Sequence, residues 1–460
     1  MSFGKIAGVL CLVACAHAPE VVPGNPHPPG IAHYTVTIFD NLGGARVHAC
    51  FKGATTRELV PIDDSAAADL SGAWIAGAAL ETTNGRIPLN QASPDSCVDY
   101  ETRFRRSWFQ LSDSSAEILS QTHWLWRPEP FPRELDTSVR FVLRGGGQVS
   151  LPWPHANGTY QPDESAFFME TYGVFGVFDR QAFSVANTSV EVVRLGERPS
   201  QEHIRRWLGR AMQVVASVGD RFPRERIHYV IAPVDSSGEP VVFGMVRRGG
   251  GSSILLLPSS YAGVAALEAD WVAVHELSHL WLPRLRSEDR WLSEGIATYL
   301  QEVLRARCGL QSSERAWKRL EEGFERGRRS GTGRRLGNES LAMNRTGAYQ
   351  RVYWAGTAFA LETDVLLRQR SNGQATLLTA LSEAQHSWRT DANPVSASAF
   401  LKSLERVSGA DFIEALGRQY AASSAFPDTP YLDSPDHSDL RAEITWPADG
   451  ACGINAVSSR

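Results

Sequence analysis

Two histidines four residues apart, His275 and His279, lie in a segment that reads as a buried amphipathic helix, and no other feature constrains the chain as much. Leu267, Trp271, Val274, Leu277 and Leu280 supply its apolar stripe, and the period predicts one helix over 262–282. A spacing of four puts both imidazoles on one face, one turn apart, where they can converge on a single zinc ion. Glu276 stands beside the first of them and can reach a fourth position occupied by water, there to accept a proton. The plain alternative is a pair of structural histidines on a polar helix face. Against it, Trp291-Leu292-Ser293-Glu294-Gly295 opens the next helix after a short connection. A carboxylate there, Glu294, can complete a His/His/Glu set that leaves one position open.

The chain has 460 residues, enough for two or three domains. Hydrophobic residues make up 43% and charged residues 21%, so sizeable cores can form. A net charge of -5 is mild and gives no reason to expect a nucleic-acid partner. The fold class expected is a multidomain α+β chain. Residues 31–190 read as β-rich, with alternation in His33 to Phe39 and in Ser138 to Leu143, and a β-sandwich is the natural architecture. Residues 191–310 read as an α/β lobe. Its expected strands are Ser189 to Leu195, Ile227 to Ala232, Val241 to Val246 and Ser253 to Leu257, and an amphipathic helix runs from Pro199 to Val218. Residues 311–460 read as a helical lobe, with helices over 312–327, 350–370, 374–386, 396–407 and 409–421 after the one over 290–307. The basic, glycine-rich run from Glu325 to Arg335 reads as a solvated loop, since no aromatics interleave it.

The first 15 residues differ from the rest. An apolar run from Ile6 to Ala14 follows Lys5 and is too short to span a bilayer, so residues 1–15 read as a signal peptide. Its end, Leu12-Val13-Ala14-Cys15, resembles a bacterial lipobox, in which Cys15 takes the lipid. Ala16 in place of Asp suggests outer-membrane sorting. The alternative is plain cleavage near Ala18. Pro-rich residues 16–30 then form a tether, and the lipid is the only membrane contact expected. Cys50, Cys97, Cys308 and Cys452 remain, an even number in an exported chain. They permit three pairings. Cys50 with Cys97 and Cys308 with Cys452 is the expected one, buried free thiols are the alternative, and zinc ligation by these cysteines is not expected because none sits in a C-x-x-C.

The motif HExxH followed by W-L-x-E-G-x-A resembles the gluzincin clan of zinc metallopeptidases, which includes thermolysin and aminopeptidase N. Within the clan the sequence is most similar to the glycyl-aminopeptidase-like, often PDZ-bearing, family. The likeness covers residues 190–425 or so and extends to Val352-Tyr353-Trp354-Ala355-Gly356 and to Asp364 and Arg368. It implies a thermolysin-like catalytic domain and one Zn2+ held by His275, His279 and Glu294. It also implies Glu276 as the base and Tyr353 as donor to the oxyanion, with Tyr349, one turn earlier, as the other candidate. Asp364 with Arg368, and Asp270, fit structural roles.

Three departures from the family stand out. The 14 residues between His279 and Glu294 make a shorter connection than the clan's aminopeptidases use. The place where those enzymes carry an acid for the substrate's free amine matches Phe243-Gly244-Met245-Val246-Arg247-Arg248, so Gly244 and Met245 are expected to meet substrate. The acid is missing and two arginines stand nearby, which would repel an N-terminus. The 35 residues after 425 are too few for a PDZ domain. The resulting expectation is a zinc peptidase of the bacterial cell envelope acting on a peptide or protein. The alternatives are a lipid-anchored binding or assembly protein with a relic metal site, and a zinc hydrolase of esters or epoxides on the same scaffold.

Overall fold

A computed structural model describes residues 30–53, 56–89, 97–105, 115–219, 221–388, 393–429, 438–445 and 452. The leader, Cys15 and the tether up to residue 29 lie outside the described residues. Among those described, no helix is long and apolar enough to cross a membrane.

The alternation in the first third forms one eight-stranded sheet accompanied by two three-stranded ones. Its central strand, Gly30–Ile38, pairs parallel to Leu135–Leu143 and antiparallel to Gly44–Lys52. Ala32, Tyr34, Val36 and Ile38 point inward and are buried. They share a core with Trp124, Trp126 and Trp153, and each such burial contributes about 1.5–3 kcal/mol. The buried hydroxyls of Tyr34 and Tyr100 donate to the carbonyls of Trp126 and Trp124 at 3.0 and 2.8 Å, so the aromatic core holds no unpaired phenol there.

A five-stranded sheet follows, in the order Asp179–Val185, Thr188–Arg194, Arg226–Ile231, Ser253–Pro258 and Val241–Arg247. Its first strand lies on the N-terminal side of the boundary expected at 190. The central strands are largely apolar because both faces are covered, with Glu191, His228 and Ser253 as polar exceptions. Val190, Val192, Tyr229, Ile231, Ile254 and Leu256 face the helices, while Val193, Val230 and Leu255 face Ile118 and Val174 of the β-rich region. Val241–Arg247 is the sheet edge, antiparallel to Ser253–Pro258. The two lobes expected on either side of 310 share one hydrophobic core.

A polar cluster crosses the seam between the β-rich region and this sheet. His228 is buried and its Nε2 lies 2.9 Å from Ser150 Oγ, its Nδ1 3.1 Å from Ser253 Oγ. Ser150 also donates to Glu191, which Arg180 pairs at 2.7 Å. Burial pushes the His228 imidazole down to about 4, against the pull of Glu191 and with the help of Arg180 and Arg226. The unfolded chain therefore takes up this proton first as pH falls. Stability present above about pH 6.5 is lost down to about pH 4, by about 3 kcal/mol at most. Thermal unfolding against pH should show this slope in the wild type and a flatter one in His228→Gln; identical slopes would remove His228 as its source.

The helices are α1 (Gln201–Ala216), α2 (Val264–Ala269), α3 (Val272–Ser278), α4 (Arg290–Arg307), α5 (Ser313–Arg329), α6 (Leu336–Thr346) and α7 (Tyr349–Ser371). Four more, Leu377–Ala384, Ala397–Ser408, Ile413–Ala422 and Ser438–Thr445, complete the set among the described residues. The single helix expected over 262–282 is broken. Asp270 is extended, at φ -71 and ψ 155, and its Oδ1 accepts the Val272 N–H at 2.7 Å. That side-chain bond satisfies an amide at the start of α3 and competes with continuing the helix. His279 opens a 3₁₀ turn at the end of α3 rather than sitting mid-helix. Part of the run expected as a loop, up to Arg329, belongs to α5, where Arg328 and Arg329 pair with Glu325 one turn earlier. The short α6 has no clear apolar period to announce it: Gly337, Asn338 and Asn344 dilute its stripe. Both disulfides form, Cys50–Cys97 and Cys308–Cys452.

Candidate metal centre

Helices α3, α4 and α7 and the edge strand meet at one point. His275 and His279 come from α3 and the turn after it, Glu294 from the first turns of α4. Their Nε2 atoms lie 3.3 and 3.4 Å from the same Glu294 oxygen, Oε2. Atoms bound tetrahedrally to zinc at about 2.0–2.1 Å stand roughly 3.3–3.4 Å apart, so this set of two imidazoles and one carboxylate fits the ion in chemistry and in spacing. The ligand atoms of the three residues all lie within 4.8 Å of one another.

The outer nitrogen of each ring is held as well. His275 Nδ1 lies 2.9 Å from Gln301 Oε1, and His279 Nδ1 lies 3.1 Å from Ser293 Oγ. Gln301 is itself oriented, donating through Nε2 to Glu302 Oε1 at 2.9 Å. Such outer contacts leave Nε2 as the free lone pair facing the centre. Neither residue is evident from the motif alone. The signal was present for Gln301, which follows Glu294 by two helical turns and so shares its face of α4.

Glu276 projects toward the edge strand, where its carboxylate accepts the Val246 N–H. Burial outweighs the His275 and His279 rings and leaves its carboxyl above the usual range. Burial would raise Glu294 too, but there the charge and hydrogen bonds of both histidines win and hold it well below. Tyr353, on α7, lies parallel to the His275 ring at 6.0 Å between centroids and hydrogen-bonds the Glu294 carboxylate. Burial first, then the two carboxylates, pushes its hydroxyl well above the ordinary value, so it stays a proton-bearing donor. Tyr349 is 43% exposed and turned to Asn344, away from the centre. Asp364 accepts from Tyr299, Arg368 and the Leu377 amide, which ties α4, α7 and the following helix together away from the centre.

Gly244 packs on this machinery. A Cβ there would come within 2.5 Å of Val272 and 2.8 Å of the Glu276 side chain. Met245 lies against Tyr172, whose hydroxyl is 4.0 Å from its sulfur. The two arginines expected as free cations are both engaged. Arg247 pairs with Glu170 at 3.0 Å, and Arg248 donates to the carbonyls of Leu282 (2.9 Å) and His279 at the end of the α3 turn. Glu170 offsets the charge of Arg247, whereas the carbonyls bonded by Arg248 are neutral and do not cancel its charge. The acid absent from the strand itself has a neighbour in Glu170, brought from 77 residues away. No local pattern in the sequence could reveal that.

Two glycines explain how α4 and α7 approach closely enough to place Glu294 beside Tyr353. A Cβ on Gly356 would lie 2.0 Å from the Trp291 carbonyl oxygen, and one on Gly295 would lie 2.1 Å from the Gly356 carbonyl carbon. Gly356→Ala is thus expected to cost about 1–3 kcal/mol by overpacking, read as a lowered Tm. An unchanged Tm would contradict the close contact.

No family model matches the sequence, and no curated protein does. Solved structures do resemble the fold. An aminopeptidase N family protein from Idiomarina loihiensis superposes with a TM-score of 0.66 at 16% identity, covering 86% of this chain and 76% of its own. An M1 zinc metallopeptidase from Deinococcus radiodurans gives 0.50 at 16%, covering 87% and 94%. Yeast LTA4 hydrolase in complex with bestatin gives 0.52 at 12%, covering 91% and 67%. The chain therefore has a mixed α/β fold of the kind these solved structures share.

Proposed function

We propose that this chain is a zinc-dependent peptidase that hydrolyses peptide bonds with water. The observation that carries this reading is the convergence of His275, His279 and Glu294, with Glu276 and Tyr353 beside them. Bound by the three ligands, zinc would supply a Lewis acid for the scissile carbonyl. Glu276 accepts the proton of the attacking water and passes it to the leaving amine. Tyr353 donates its hydroxyl hydrogen to the oxygen on which charge develops. The edge strand Val241–Arg247 runs beside Glu276, and a sheet edge there suits an extended peptide better than a compact ester or epoxide. A purely binding role gives no account of the buried base next to the ligand set.

Export belongs to the same proposal, with Cys15 as lipid carrier and the outer membrane as destination. The test is digestion of a peptide library by the full chain, zinc-loaded and chelator-treated, with N-termini free or blocked. Cleavage that chelation removes and zinc restores is the expected result. Cutting of blocked peptides assigns an endopeptidase, and cutting of free ones alone assigns an aminopeptidase. No zinc-dependent cleavage of either set would overturn the proposal.

A further inference from the structure

The second constellation of metal-ligating side chains lies far from the first in sequence, on the solvent face of the eight-stranded sheet. Strand Gly44–Lys52 alternates strictly, so His48 and Cys50 share its outer face. The neighbouring strand, Cys97–Arg103, places Asp99 opposite His48 and Cys97 opposite Cys50. Four chemically active side chains thus form one two-by-two patch. Cys50 and Cys97 are joined, with Cα atoms 4.0 Å apart. His48 Nε2 lies 3.2 Å from Cys50 Sγ, and His48 Nδ1 lies 3.0 Å from Asp99 Oδ1.

That orientation is the informative part. A carboxylate on Nδ1 fixes the imidazole tautomer and turns the Nε2 lone pair outward, as in carboxylate–histidine–metal arrangements. Here the lone pair faces sulfur. The ligand atoms of His48, Cys50 and Cys97 all lie within 4.8 Å of one another. Across Cys50 on its other side stands His33, its ring turned to Ser138. Two thiolates and an imidazole are a soft to borderline set, which selects zinc-class divalent cations over calcium or magnesium.

We propose that Cys50, Cys97 and His48 form a redox-gated metal site, closed as the disulfide and opened by a thiol reductant. Two reductant thiols supply the electrons: the Cys50–Cys97 bond breaks, both residues become thiols, and the reductant leaves as its own disulfide. A divalent cation then displaces the two thiol protons and binds both sulfurs and His48 Nε2, with Asp99 on the outer nitrogen. The site is prearranged because the strand ladder, not the disulfide alone, holds the two cysteines opposite each other. The sulfurs are reachable, since both cysteines are only partly buried. None of this depends on the reading of the His275 centre, which contains no sulfur ligand.

Cobalt substitution tests it on the full chain, because only thiolate ligation gives a sulfur-to-cobalt charge-transfer band. The reduced protein is expected to take up one more equivalent of Co2+ than the oxidised protein and to show that band. Cys50→Ser/Cys97→Ser removes the band, and Cys308→Ser/Cys452→Ser keeps it. His48→Gln leaves the thiol count unchanged but weakens the extra cobalt, and Asp99→Asn weakens it about 10–100-fold. Circular dichroism of the reduced, metal-free wild type should match that of the oxidised form. No extra equivalent on reduction, a band that survives Cys50→Ser/Cys97→Ser, or loss of fold before cobalt is added would each overturn the proposal.

Discussion

Replacing Glu276 by Gln is expected to lower kcat for peptide hydrolysis by about 10²- to 10⁴-fold while leaving zinc content unchanged. The size follows from losing the carboxylate that stands beside the ligand set without being one of its ligands. His275 and His279 converge on Glu294, and Glu276 turns instead to the Val246 amide. The glutamine oxygen can keep that bond, so the variant removes a base and little else. Zinc stoichiometry and kcat measured on one preparation decide the matter. Equal turnover in both proteins would remove Glu276 from the chemistry. A loss of zinc in step with activity would recast it as a structural support of the centre.

The second large effect is expected at Tyr353. Tyr353→Phe should reduce kcat by about 10²- to 10³-fold with little change in KM, the signature of a contact made in the transition state. A competing account has to be separated from this one. The Tyr353 hydroxyl bonds Glu294, so its removal also touches a ligand. If saturating zinc restores the rate, Tyr353 is a positioning residue for Glu294. If the loss persists with the site full, the hydroxyl serves the reacting oxygen. Tyr349→Phe should leave the rate unchanged, because that ring is turned to Asn344 and solvent.

The constellation at the centre was legible because its spacings are local. Histidines four apart share a helix face whatever surrounds them, and a Glu in the first turns of the next helix needs only a short connection to fold back. Gly356 could be read as part of a motif, but its reason could not. That reason is a backbone contact with Trp291 and Gly295 across two helices. Asp270 shows the opposite failure. The apolar period runs straight through it, while its side chain prefers the Val272 amide and breaks the helix there.

Charges were the least legible part. Arg247 and Arg248 read as two cations that would repel an N-terminus; Glu170 offsets the first, and carbonyls at the end of the α3 turn anchor the second without cancelling its charge. Pairing across 77 residues leaves no trace in either segment alone. The same holds for the seam at His228, where Ser150 and Glu191 arrive from different sheets.

By itself the sequence determined which side chains could hold a metal, because helical period and residue chemistry are properties of a few neighbouring positions. Tertiary structure alone decided what faces them: which tyrosine enters the centre, which glutamine and serine hold the rings, and which carboxylate neutralises the edge strand. Those are contacts between segments remote in the chain, and only packing of the helices on the sheet brings them within hydrogen-bond reach.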